Sequence, residues 1–270
     1  MHRYLIIPVI LSFCSAKVSG QAEWYSCEKE LINSSWRRTG QVLKAPVDYE
    51  ARQWVLAGAG MVATGLAMAH DLDWQQGLVA NPDHFRDALA TYVGEPFGNP
   101  VYVGAALLGT HLWACHSQRG QTAALTLNSL QSVVIASGIT LFLKGAFHRE
   151  RPYEQRNLDP YQFQGPSFYR SNLSFPSGHT TVAFALASSV SSYADHRWYV
   201  AVPAYTLAGI TGWSRIYQEK HWPSDVVLGA LIGTAVGYTV FKASAEAQVH
   251  TRVVPNFWGG ASVQINWNLN

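Results

Sequence analysis

The chain has 270 residues, enough for one domain of ordinary size, and a net charge of +2 that implies no polyanionic partner and no nucleic acid. Charged residues make up only 13% and hydrophobic ones 48%, little charge for a freely soluble protein. Mean hydropathy is nevertheless close to zero, which is low for a chain made mostly of membrane spans.

Residues 1–22 read as a secretory signal, with Arg3 at a positive start, an apolar stretch from Leu5 to Ala16, and the small residues of Val18-Ser19-Gly20 at the cleavage point. The alternative is a membrane anchor that stays attached. After cleavage Cys27 and Cys115 remain, either as a disulfide in an oxidising compartment or as two buried thiols. Residues 23–52 are mixed and charged. Trp54 to Ala69 is an uncharged, Ala/Gly-rich run, and His70 to Asn99 is acidic and loop-rich with an amphipathic helix around His84–Tyr92. Apolar runs follow at Pro100–Cys115 and up to Leu143, the latter with Asn128, Gln131 and Ser132 on one polar face. Residues 153–175 form an aromatic-rich loop, suited either to the wall of a substrate entrance or to local packing.

Three further runs cover Thr180–Ala194, Trp198–Trp213 (with Pro203 inside) and Val226–Phe241. The last carries Gly229, Gly233 and Gly237 at four-residue spacing, which lets two helices approach closely. The expected fold is therefore all-α, an antiparallel bundle of about six core helices. Residues 23–243 form the helical domain, and 244–270 a short extended C-terminal tail. Runs of about 15 to 21 residues are marginal for a bilayer, which needs about 17–25.

The chemistry is concentrated where helix meets loop. Lys144 is followed, after six intervening residues, by Arg151-Pro152. Phe175-Pro176-Ser177-Gly178-His179-Thr180 opens an apolar helix, whose unpaired N–H groups and partial positive charge suit an anion. Ser214-Arg215 is followed by His221 and Asp225. Three cations, two histidines, one carboxylate and an anion-binding helix start suit phosphoryl transfer, where catalysis is mostly positioning and charge stabilisation.

These three blocks, separated by 23 residues between Pro152 and Pro176 and 34 between His179 and Ser214, resemble the signature of the type 2 phosphatidic acid phosphatase superfamily. That group also contains bacterial acid phosphatases and vanadium haloperoxidases. The resemblance covers roughly Ala123 to Phe241. It implies a site at one end of the bundle, with His221 as nucleophile, Asp225 orienting its ring and His179 as general acid and then base. Lys144, Arg151 and Arg215 would bind the phosphate oxygens, and Ser177 with the Gly178 N–H would complete the cradle. No metal or other cofactor is implied. His148 and Arg149 fall at positions that the motif leaves free and receive no catalytic role.

The implied function is hydrolysis of a phosphate monoester or diphosphate, of a lipid or of a small phosphate ester. A soluble periplasmic acid phosphatase and, remotely, a vanadate-dependent haloperoxidase are the alternatives. The expected location is the cell envelope, membrane-embedded or membrane-associated, with the site facing the periplasm.

Overall fold

The structure, a computed structural model, describes residues 37–80, 82–167 and 173–249 and the strands Thr251–Pro255 and Ala261–Ile265. The expected signal, Cys27 and residues 168–172 of the aromatic-rich loop lie outside them.

In chain order the elements are α1 (37–44), α2 (Ala51–Ala69), α3 (Asp71–Val79), α4 (His84–Leu89), a π-helical turn (Ala90–Gly94), α5 (Glu95–Gly98), α6 (Pro100–His116), α7 (Gly120–Phe147), a 3-10 turn (Pro152–Glu154), α8 (Gly178–Tyr193), α9 (Trp198–Tyr217) and α10 (Pro223–Val249). The all-α bundle expected from the apolar runs is present. Residues 70–99 are more helical than their acidic, polar composition suggests. Asp71 and Asp73 sit in the first turn of α3, where the helix dipole favours them, and the Asp83 side chain caps α4 by accepting from the Arg86 N–H at 2.9 Å. Asn99 and Pro100 give α6 a cap and a preset first turn.

The last helix continues six residues past Ala243, through a stretch with no glycine or proline to stop it. Beyond it β1 (Thr251–Pro255) and β2 (Ala261–Ile265) pair antiparallel, with Thr251 opposite Ile265, where the weak alternation of the tail allows either a strand or an extended run across the surface.

Helix α8 is the centre of the bundle, with α7, α9 and α10 all packed on it. Its buried residues are Ala, Ser, Thr and Val, so neighbours come close. Along α10 a Cβ on Gly229 would lie 2.7 Å from the Ser177 carbonyl oxygen, and one on Gly237 2.6 Å from that of Ala185. One on Gly233 would collide with the Thr181 carbonyl oxygen. The glycine row is thus the seam between two backbones. The polar face of α7 is buried: Arg38 of α1 donates to Asn128 Oδ1 at 2.6 Å, to Gln131 Oε1 at 2.5 Å and to Ser244 Oγ at 3.2 Å.

Many large apolar side chains point outward, including Trp54, Leu56, Met61, Val101, Leu112, Phe142 and Trp198. Among the described residues, α7 and the Pro223–Ala245 part of α10 are long and apolar enough to cross a membrane; the bent pair α2–α3 also qualifies if counted as one span. At 1.5 Å per residue α7 is about 42 Å long, enough for a hydrocarbon core of about 30 Å.

Candidate active site

All eight residues singled out from the sequence gather at one end of the bundle. Lys144 occupies the last turn of α7, and the chain leaves that helix through His148, in a left-handed conformation (φ 49°). Lys144 Nζ turns back into the protein and donates to the carbonyls of Leu173 and Ser174. It also approaches the start of α8: a Cβ at Gly178 would stand 3.8 Å from Lys144 Cε. Arg151 precedes the 3-10 turn, with its guanidinium 5.9 Å from the Tyr153 ring centre.

Ser177 is the N-cap residue of α8, fully buried. Its hydroxyl accepts from Thr180 Oγ1 at 2.9 Å instead of capping a backbone N–H, and its own N–H donates to the Asp225 carbonyl at 2.9 Å. That second bond ties the start of α8 to the start of α10. Gly178 and His179 then present first-turn N–H groups that the helix itself leaves without partners.

His221 lies in the short connection between α9 and α10, with its ring almost wholly buried. Its Nδ1 faces Asp225 Oδ2 at 3.5 Å, and the Ser174 hydroxyl sits between them, 3.4 Å from Nδ1 and donating to Asp225 Oδ2. The orienting contact is therefore shared by a carboxylate and a serine. Asp225 Oδ2 also accepts from the Trp222 N–H at 2.9 Å. Burial, aided by the charges of Lys144 and Arg151, pulls the His221 imidazole down to about 3 against the opposing pull of Asp225. The ring is neutral at ordinary pH.

Arg215, at the end of α9, is fully buried. Its Nη1 lies 2.6 Å from Glu95 Oε2 and its Nη2 donates to Gln218 Oε1 at 2.7 Å. His179 Nε2 lies 3.2 Å from Glu95 Oε1. Burial, with help from Arg215, lowers the His179 imidazole to about 4, although Glu95 opposes this.

Four further residues gather here to which the sequence assigned no role. Arg149, which received no catalytic role from the sequence, is a buried hub. It donates to Asp225 Oδ1 and Asp71 Oδ2, each at 2.6 Å, to Ser224 Oγ at 2.8 Å, and to the Pro160 carbonyl. Its guanidinium is 5.1 to 5.8 Å from the ring centres of Phe163, Trp222 and Phe175. Two of the loop aromatics, Phe163 and Phe175, thus pack on Arg149 and Phe147. The other three residues are Asp71, Ser174 and Glu95. Nothing local in the sequence marks them, because each acts on a residue far along the chain.

Residues 125–248 match the family model described as "PAP2 superfamily". The putative undecaprenyl-diphosphatase YbjG of Escherichia coli (strain K12) is 32% identical over 150 residues, covering 54% of this chain and 67% of that protein. The chain belongs to the PAP2 superfamily. A lipid A 1-phosphatase of Porphyromonas gingivalis is 46% identical over 65 residues, 24% of this chain. This chain spans only 15% of that relative's length. Among solved structures, Aquifex aeolicus LpxE aligns with a TM-score of 0.43 and 22% identity, over 64% of this chain and 94% of that one.

Proposed function

We propose that this PAP2 chain is a phosphatase that hydrolyses a phosphate monoester or diphosphate of a lipid, through a phospho-histidine intermediate and with its site facing the periplasm. The observation that carries the reading is the held imidazole of His221. A carboxylate and a hydroxyl at Nδ1 favour the proton there, which leaves the Nε2 lone pair to attack. Attack forms an Nε2–P bond and breaks the bond from phosphorus to the leaving oxygen, to which His179 gives a proton. Water then attacks phosphorus while His179 takes a proton from it, releasing inorganic phosphate and restoring both rings. Lys144, Arg151, Arg215, Ser177 and the α8 N–H groups balance the charge of the equatorial oxygens. These fixed cations supply the charge for which other phosphoryl-transfer sites use a metal.

Lipid as the substrate class is supported by the outward-facing apolar side chains, the two span-length helices and relatives named for lipid A and undecaprenyl diphosphate. The test compares a lipid phosphate with a water-soluble aryl phosphate, in wild type and in His221→Ala. Acid-labile label on the protein from a radioactive phosphate ester, absent in His221→Ala, supports the intermediate. Full activity in His221→Ala sinks it.

A second reading of the location is favoured by Cys115. This cysteine is disulfide-bonded and lies at the end of α6 away from the site. A disulfide belongs to an oxidising compartment. Both ends of the bundle then fit a protein that rests on the outer side of the membrane without crossing it. Release from envelopes by a high-salt wash would favour this arrangement over an embedded one.

A further inference from the structure

Glu95 lies outside all three motifs and before the matched region, yet its carboxylate sits where the motif residues meet. Oε1 is 3.2 Å from His179 Nε2, and Oε2 is 2.6 Å from Arg215 Nη1 and 3.2 Å from Lys220 Nζ. The local fold is built to hold it there. A π-helical turn, Ala90–Gly94, precedes it, an unusual element that often marks functional positions. The glycines on either side fit against the two helices it bridges. A Cβ at Gly94 would collide with the Ser214 side chain, and one at Gly98 would stand 2.8 Å from His179 Cβ and 2.9 Å from the His179 carbonyl oxygen. Only a backbone without side chains at those points can bring Glu95 between α8 and α9.

We infer that Glu95 is a positioning residue for the phosphoryl transfer proposed above, orienting the His179 ring and restraining the Arg215 guanidinium through one carboxylate. The inference rests on that proposal for the roles of its two partners. The charged groups facing His179 are Glu95 from α5, Arg215 from α9 and Lys220 from the loop after α9. Burial works against the Glu95 charge, but Arg215, His179 and Lys220 outweigh it and hold the carboxyl down to about 2. Glu95 is therefore an anion across the working range. It favours the protonated His179 that a leaving alkoxide needs, and it competes with phosphate for Arg215.

The two effects have opposite signs in Glu95→Gln, which separates them from simple structural damage. With an alkyl phosphate, whose leaving oxygen requires a proton, kcat/KM is expected to fall about tenfold or more, a fraction of what a general acid contributes. Its alkaline limb should move to lower pH. With 4-nitrophenyl phosphate, whose leaving group departs without a proton, kcat/KM should stay within about threefold of wild type. Inhibition by inorganic phosphate should tighten by about tenfold, because a negative charge beside the anion site is gone. Glu95→Asp, which keeps the charge, should keep the wild-type phosphate affinity. Equal losses on both esters with weaker phosphate binding, or an unchanged pH profile, would overturn the inference. Phosphate binding followed by calorimetry needs no turnover. Tighter binding in Glu95→Gln supports the placement even if neither ester is hydrolysed, and that lack of hydrolysis would count against the proposed function alone. Unchanged phosphate affinity counts against Glu95.

Discussion

Asp71 and Ser224, 153 positions apart, form two hydrogen bonds: the Ser224 N–H donates to Asp71 Oδ1 at 2.7 Å and the Ser224 hydroxyl to Oδ2 at 2.6 Å. The carboxylate of α3 thus caps α10 one residue before the catalytic candidate Asp225, and it also holds the Arg149 guanidinium. Both members of the Asp71–Arg149 pair are fully buried. Asp71→Asn breaks this buried pair but leaves Arg149 its second carboxylate, Asp225, so the expected cost is that of a hydrogen bond to a charged group, about 1.5–3 kcal/mol, read as a lower thermal unfolding midpoint of the purified protein.

Ser174 joins His221 to Asp225. Ser174→Ala removes a hydrogen bond to a charged group, worth about 1.5–3 kcal/mol, with little change in packing. A loss of that size in the transition state lowers kcat/KM by about ten- to a hundredfold. Steady-state hydrolysis beside a thermal melt checks it: the rate should fall, and the melting midpoint should drop by no more than the loss of one buried hydrogen bond accounts for.

The seam between α8 and α10 should tolerate no side chain at Gly233, where a Cβ would also stand 2.8 Å from the Ala185 nitrogen. Gly233→Ala is expected to destabilise by about 1–3 kcal/mol through overpacking. Gly65→Ala, on α2 with nothing within 4 Å of the new methyl group, should instead leave stability unchanged or raise it by about 0.5–1 kcal/mol, as alanine does in a helix. Paired chemical or thermal unfolding curves separate the two.

Acid should weaken the fold in two windows. His221 and His179 titrate at about 3 and about 4 in the folded protein, against an ordinary imidazole value of 6.5. The unfolded chain therefore binds more protons below about 6.5, and stability falls as pH drops from there towards 3–4. Glu95, held at about 2 against an ordinary 4.5, adds a further loss below about 4.5. Melting midpoints measured from pH 7 to 4 should decline, and less steeply in His221→Gln. A flat profile would contradict the burial of these rings.

The bundle and the eight motif residues were legible because they leave local traces: apolar runs of helical length, a Pro-Ser-Gly helix start, and cations at fixed spacing. Arg149 lies inside the first motif at a position the pattern leaves free, so the sequence gives it no role, and only the fold reveals that Asp71 and Asp225 face it. Glu95 and Ser174 were invisible for a related reason, since their partners are 84 and 47 residues away. The hairpin at 251–265 was only hinted at, because its weak alternation has no apolar face of its own to declare a strand.

The glycine row of α10 has a mechanical corollary. With two main chains in direct contact and the Ser177 N–H fastened to the Asp225 carbonyl, the corner where α8 and α10 begin has no compressible layer. A sliding or spreading of α8 against α10 is therefore closed to the site, and any give in it must come from its other walls.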